Sequence, residues 1–542
     1  MPSEPIEAAI AYPPILSEEQ EEDFRTLDAE NTISRRSTHG SATYTGGHSP
    51  RRVPTVHDLE ELHTKEGYII VKFEKGKGED PREWSNGKKW YITVATATLC
   101  LAVALGSSII TGDMTGPAKE FGERQIIINL TVTCFVMGFG IGPLFLAPLS
   151  EVYGRRPLYF VSMFLYFIFT LPGPLAKNAA TLVVTRMIAG IMASAPMCNV
   201  GGSIADVWAI EDRGGPMALF SGTLFIGPCL GPMIGGWIGE RAGWRWVYWV
   251  LFIFLGVSFL LTFFIPETLA PIILRKKAEK LRKERNDERY KTLEELEKLP
   301  FRETITIALV RPFAMLFQEP IVIFMTFYLS FVYSLLYLLF FAFPIAFSKI
   351  RGFGEGLTGL TFTSIMLGVL SAGFFVPTQE RVYAHVTRNG TFPEARLYPM
   401  MVGSIMMPIA LFLFAFTGAY AWVHWIAVCI SGFVFGFAMI LLYVSANSYI
   451  IDSYSDYAAS AMAAKTFLRS EIGAMVPLFV DPMFNNMGFQ YAGLLLALIA
   501  VAIGPIAFIF FFYGERIRAK SKRATQTKRI KDEDAIFEKH RV

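Results

Sequence analysis

The sequence predicts an all-α membrane protein with twelve transmembrane helices in two six-helix, pseudo-symmetric halves. Three observations carry that prediction. Of 542 residues, 52% are hydrophobic and 14% aromatic, while only 18% are charged, too apolar a mixture for an ordinary water-soluble domain. Twelve apolar runs bounded by charge fall near 91–112, 125–148, 157–176, 179–207, 214–239, 244–266, 320–346, 357–378, 396–417, 421–446, 458–480 and 490–513. Each is long enough to cross hydrocarbon as a helix, which satisfies its own backbone polar groups. They divide six and six, and a weak internal repeat relates the two sets. Pro148-x-x-Glu151 recurs as Pro377-x-x-Glu380; Asp206, followed 26 residues on by Pro232, recurs as Asp452, followed 25 residues on by Pro477. Pro-interrupted helices at matching places in two halves point to a site between the repeats, near the midplane.

Taken in order, residues 1–88 form a cytosolic tail rich in Ser, Pro, Thr, Glu and Lys, a composition that cannot offset its ordering entropy and is expected to be disordered. It lacks a cleavable signal, so the first span is expected to direct insertion. Arg35-Arg36-Ser37 reads either as a basophilic kinase site or as a chance match. The tail's end, Asp80 to Ser85 with Lys88-Lys89-Trp90, suits an interfacial anchor. The first half is then 89–266, a central cytosolic loop 267–313, the second half 314–513, and a basic cytosolic tail 514–542. Orientation follows from the loops. Arg155 and Arg156 crowd a very short connection, the central loop has about a dozen Lys/Arg, and Arg381, Arg388 and Arg396 follow, whereas Thr417-Gly418-Ala419 and the connection from Asp481 to Gln490 have none. Both termini are therefore expected in the cytosol. The sequons at Asn129, inside a span, and Asn389, in a cytosolic loop, should not meet the glycosylation machinery. The five cysteines, Cys100, Cys134, Cys198, Cys229 and Cys429, all sit in spans without paired spacing, which indicates packing and neither a disulfide framework nor a metal. The stretch after Pro271 reads as an amphipathic, charged helix.

Within the fifth span, Gly227, Gly231 and Gly235 recur every four residues and form a bare stripe, while Pro232 supplies a kink and Gly236 follows. A Gly/Pro-interrupted spanning helix is either a structural seam or part of the moving machinery. The stretch resembles the antiporter motif of drug:proton antiporters of the major facilitator superfamily, with Ala218 where that motif begins with Gly. Gly142, Pro148, Glu151, Gly154, Arg155 and Arg156 resemble the superfamily's loop motif between spans two and three. Gly243-Trp244-Arg245-Trp246, Pro266-Glu267-Thr268, Pro393-Glu394-Ala395-Arg396-Leu397 and Ser460-Ala461 to Arg469 extend the resemblance over nearly everything after residue 80. The chain is thus similar to the fungal twelve-span drug:proton antiporters, a group that includes polyamine and secondary-metabolite exporters.

What the resemblance implies is a major facilitator fold that exports drugs, toxins or metabolites across the plasma membrane by alternating access. Its partners would be small amphipathic substrates, protons and the bilayer, as a monomer, with no cofactor and no nucleic acid. The alternatives are a polyamine exporter, which would want several carboxylates in its cavity, and a nutrient sensor signalling through its tails. The absence of a phosphate-binding loop, a His pair for metal or a nucleophile elbow argues against an enzyme or an ATP-driven pump.

Proton coupling needs a carboxylate or His whose surroundings alternate. Asp113, ending the first span, is preferred, because the resemblance gives it Arg186 of the fourth span as a partner; otherwise it caps a helix end. Glu471 is the second candidate. Glu151, Arg155, Arg156 and Asp206, with Glu380, Asp452 and Arg469 in the other half, form a charge latch in the family's scheme or, more simply, solvated turns. Lys465 and Arg469, one turn apart, read as a cytosol-side salt-bridge cluster near Asp452. Tyr333 and Tyr337 of the seventh span's aromatic stripe present one face for planar compounds, or else pack. Asn199, Tyr443 and Asn447 are the candidate hydrogen-bonding groups of the cavity.

Overall fold

The computed structural model describes residues 67–524, apart from 75, 210–211, 298–300, 387–391 and 522. Arg35, Arg36, Ser37 and Asn389 lie outside the described residues, and so do the side chains of Pro377 and Glu380. Twelve long helices account for the apolar runs. The first half holds α1 (Asn86–Ser108), α2 (Gln125–Tyr153), α3 (Arg155–Thr170), α4 (Ala179–Val207), α5 (Gly214–Ala242) and α6 (Trp244–Thr262). The second holds α7 (Pro320–Pro344), α8 (Thr363–Val386, preceded by the turn Glu355–Leu360), α9 (Tyr398–Gly418), α10 (Trp425–Ser453), α11 (Ala458–Met487) and α12 (Phe489–Ile503, continued by Pro505–Lys520). Among the described residues, eleven helical spans are long and apolar enough to cross a membrane. The twelfth, α11, has the length at 30 residues, but Lys465, Arg469, Glu471 and Asp481 dilute its apolar character.

Glycine makes the tightest reversals. Gly154 joins α2 to α3 at φ 101°, Gly243 joins α5 to α6 at φ 85°, and Gly488 joins α11 to α12 at φ 82°. Any other L residue there would meet the Cβ–carbonyl clash of left-handed backbone, about 1–2 kcal/mol. Gly243 and Gly488 are also equivalent under the repeat, each following the fifth helix of its half.

Packing repeats with the same six-helix offset. The pairs α2–α4, α1–α5 and α3–α6 have counterparts in α8–α10, α7–α11 and α9–α12, and the halves meet along the symmetric pair α2–α11 and α5–α8. Small residues permit the closest approaches: Gly138 and Gly142 of α2 lie against the α4 backbone, and Gly368 of α8 and Gly436 of α10 take matching places.

A second unit comprises the described end of the N-terminal segment, to Lys77, and Ala270–Leu299. Ile69–Ile70 pairs in parallel with Tyr290–Lys291, so the expected tail is not unstructured throughout its described part. Helix Ala270–Arg285 is the amphipathic helix expected after Pro271; its Arg282 donates to the Glu295 carboxylate. The sequence boundaries shift elsewhere too. Helix Phe301–Gln318 runs through residue 313, and α12 continues to Lys520 because Arg518 is buried against Glu394.

Candidate functional site

The glycines of α5 form a two-sided seam. Gly227 lies on Ala104 and Leu105 of α1, Gly231 on Ser108 and Ile109, and Gly235 on the Ile109 carbonyl and Gly112. A Cβ at Gly231 would coincide with Ser108 Oγ, so the backbones approach closer than any side chain allows. Gly236 faces the other half, against the Glu355 carbonyl, and the Pro232 carbonyl meets Gly359. Nearby, Gly356 N donates to Glu240 Oε2 at 2.6 Å. The seam thus lies toward the end of the bundle opposite the basic loops, where the halves touch. At that same end Asn129 Nδ2 of α2 donates to the Pro477 carbonyl at 2.9 Å and to Asp481 of α11 at 3.2 Å.

At the basic-loop end each half carries its own ion pair. Arg155 lies 3.6 Å from Asp206 and donates to Ser150 Oγ (2.5 Å) and Asn199 Oδ1 (2.9 Å). Asn199, expected in the cavity, is therefore committed to this network, since its amide also donates to Ala195 O. Glu151, expected to pair with Arg155, is exposed and has no partner among the described residues; Arg156 is exposed as well. The carboxylate that does the holding is one to which sequence reasoning gave no role. Glu267 Oε1 accepts from the backbone N–H of Arg155 (2.9 Å), Thr268 and Leu269, and Oε2 from Arg156 N (3.2 Å). An anion on the exposed amides of a helix start is favourable, here at α3. Its signal was present as Pro266-Glu267-Thr268, directly after a span. Glu267→Gln should turn an amide NH₂ toward one of those donors and cost about 1–2 kcal/mol. The measurement is the melting temperature of the purified protein, which falls if this cap matters.

In the second half Arg396 Nε donates to Asp452 at 2.9 Å, its guanidinium stacks 3.5 Å from the Tyr383 ring centre, and Tyr383 donates to the same carboxylate. Asp452 is thereby taken by Arg396 and not by Arg469.

Arg469 and Lys465 point elsewhere, and the expected salt-bridge cluster is replaced by neutral partners. Lys465 Nζ donates to Asn447 Oδ1 at 2.8 Å, and Arg469 Nη1 donates to the Tyr443 hydroxyl at 2.7 Å. The Arg469 guanidinium lies 4.2 Å from the Tyr333 ring centre, whose hydroxyl donates to Tyr337 at 3.3 Å. Phe225 of α5 meets Tyr443 edge to face at 4.9 Å, so both halves contribute to this cluster. The residues Tyr333, Tyr337, Tyr443 and Asn447 are brought together as a group.

Asp113 and Arg186 are not. Asp113 Oδ1 accepts from Gly116 N at 2.8 Å, capping the short helix Thr115–Phe121. Arg186, 3% exposed, donates to Gly106 O at 2.7 Å and lies 3.9 Å from the Phe135 ring centre. Glu471 is half-buried on α11, facing Gly140 of α2, and its Oε1 has no hydrogen-bond partner among the described residues. Outside the spans, hydrogen bonds from Arg245 and Trp244 hold the Glu120 carboxyl below the usual carboxylate range.

A repeated twelve-helix bundle with a small-residue seam between its halves and polar groups collected at mid-depth is the architecture of a membrane transporter. The Major Facilitator Superfamily profile matches residues 94–477. The chain is 45% identical to the transporter paaT of Penicillium rubens, covering 85% of this chain and 84% of that protein. It is 39% identical to the efflux pump FUBT of Fusarium oxysporum (82% and 75% covered) and 38% identical to the multidrug transporter mdrA of Aspergillus fumigatus (86% and 77%). This chain belongs to the Major Facilitator Superfamily, and it is a multi-pass transporter, not an enzyme.

Proposed function

We propose that this protein is a proton-coupled efflux transporter of a fungal plasma membrane, acting as a monomer with both termini cytosolic. It exports small amphipathic compounds, among them drugs, toxins or secondary metabolites, by alternating access. The observation that carries this reading is the two-sided α5 seam, with Gly227, Gly231 and Gly235 on α1 and Pro232 and Gly236 on the opposite half. A seam that belongs to both interfaces can pass motion from one to the other. Orientation is supported by the arginines at one end, Arg155, Arg156 and Arg396, which the positive-inside rule assigns to the cytosol. With that assignment the halves are joined at the outer end by the Glu240–Gly356 bond, whereas the Arg155 and Arg396 latches each stay within one half. The named efflux pumps among the relatives support the direction of transport.

Polyamine export is disfavoured, because the charges within the spans include three buried cations, Arg186, Lys465 and Arg469, beside the carboxylate of Glu471, a balance that would repel a polycation. For the proton, Glu471 is the stronger candidate: it stands on the α2–α11 seam that must rearrange between states, and one of its oxygens lacks a partner. Asp113 is engaged in its cap.

The test is flux in proteoliposomes. An imposed proton gradient should drive uphill movement of a fluorescent amphipathic compound, and a protonophore should stop it without ATP. Glu471→Gln should abolish uphill accumulation while preserving downhill exchange, and Asp113→Asn should retain both. Uphill pumping by Glu471→Gln at the wild-type rate would move the proton elsewhere, with Asp206 next in line.

A further inference from the structure

Three buried cations in the spanning bundle have no counter-ion in the described structure. Lys465 is 1% exposed, Arg186 3% and Arg469 7%. None lies within ion-pair distance of a carboxylate among the described residues, and Arg186 Nε and Nη1 and Arg469 Nε have no hydrogen-bond acceptor at all. Their partners are neutral: a backbone carbonyl, one amide oxygen and one phenol hydroxyl. The contrast with the rest of the molecule is direct, for Arg155, Arg396 and Arg518 each meet a carboxylate. Glu471, only two residues beyond Arg469, turns to Gly140 of α2 instead.

A cation in the membrane interior is costly unless something negative or strongly dipolar answers it. Arg469 stands about 16 Å along α11 from its start, well away from the helix end. Its surroundings are aromatic: Tyr333 at 4.2 Å, Tyr443 at 5.6 Å, and Phe225 of the first half packed on Tyr443. Planar aromatic faces beside unanswered guanidinium nitrogens suit a flat ring bearing an acidic group: the ring stacks while the anion accepts the spare N–H.

We infer that Lys465 and Arg469, with Tyr333, Tyr337, Tyr443 and Asn447, form a recognition site for amphipathic aromatic anions, and that the exported substrates are acidic and not cationic. The inference rests on the transport reading above, whose cavity it specifies. The anion is the missing counter-ion. When it binds, it answers Arg469 from the second half, and its ring meets Phe225 from the first, so loading favours closure of the two halves around it.

The experiment uses the purified full-length protein and three probes of similar size: naphthalene-2-sulfonate, 2-naphthylmethyl-trimethylammonium and 2-naphthylmethanol. The sulfonate is charged at every working pH, which removes passive diffusion of a neutral acid. Binding, followed by thermal shift and titration, should favour the sulfonate by at least about tenfold over the cation and the alcohol. Arg469→Gln should erase that preference, and Arg469→Lys should restore part of it, which loss of packing alone would not do. Equal binding of the three probes by the wild type, or an undiminished preference in a folded Arg469→Gln, overturns the inference; the wild-type comparison stands even if the variant does not fold. Proteoliposome flux separates this from the parent reading. Sulfonate binding without gradient-driven movement upholds the anion site and defeats the pump, whereas proton-driven movement of the cation, with the sulfonate ignored, upholds the pump and defeats the anion site.

Discussion

Gly231→Leu is expected to reach the membrane but to lose nearly all transport. The position has no room for a side chain: a Cβ alone would coincide with Ser108 Oγ and crowd the Ile109 amide. Extra carbons in a close-packed interface cost about 1–3 kcal/mol through off-rotamer side chains and shifted backbone. Here the shift would push α5 toward α8, where Pro232 and Gly236 already touch Gly359 and Glu355. Most of the bundle would still form, since the α2–α4 pair and the α9–α12 side of the second half lie away from the change, but the seam could no longer pass between two tightly packed arrangements. Gly231→Ala should be intermediate, and pairing it with Ser108→Gly should recover at most part of the loss, because the second change removes the nearest atom the new methyl would strike but leaves the Ser108 and Ile109 backbone crowding it. The measurement is substrate counterflow normalised to protein at the membrane. Wild-type counterflow by Gly231→Leu would remove the seam from the mechanism.

The spans were legible because membrane insertion depends on a near-scalar property, apolar length, that can be summed along a sequence. The glycine stripe was legible for a related reason, as its four-residue spacing fixes a helix face whatever the partner is. Partners were harder to read. Along α11, Lys465 and Arg469 share a face, whereas Glu471 is turned by about 200° from Arg469, so it faces α2 while they face α10 and α7. The sequence holds that angle but not the rotation of α11 about its axis, which depends on every neighbour at once. Asp452 illustrates the same limit. Arg396 reaches it from the irregular turn Pro393–Leu397, a segment with no periodicity to follow, so the nearer-seeming Arg469 was paired with it. Asn199 is expected in the cavity because the family counterpart of its span lines it, yet a hydrogen bond from Arg155, which reaches across from the start of α3, commits it to the ion-pair network there. Asp113 likewise satisfies itself locally, through Gly116, before any distant cation can compete.

Charge reversal at Arg155 should be the second severe change. Its guanidinium lies against Asp206, Ser150 and Asn199, while Glu267 holds its backbone N–H, so a glutamate there would face two carboxylates with no cation to answer them. Removing one member of a partly buried pair costs about 3–5 kcal/mol when the other is left unanswered. We expect Arg155→Glu to reduce transport by at least about tenfold, with a lower melting temperature, because the α2–α3 turn and the end of α4 would separate. Arg155→Lys should fall between, since a point cation can answer Asp206 but cannot also fork to Ser150 and Asn199. The swap Arg155→Glu with Asp206→Arg should recover only part of the loss. The new arginine regains its ion pair, but the new glutamate still sits beside Glu267, whose carboxylate caps α3 from the same side. Adding Glu267→Gln to the swap should then raise activity further, although the same change lowers the stability of the native chain. A swap that recovers nothing, or a third change that lowers activity again, would mean that Arg155 acts through something other than these two carboxylates.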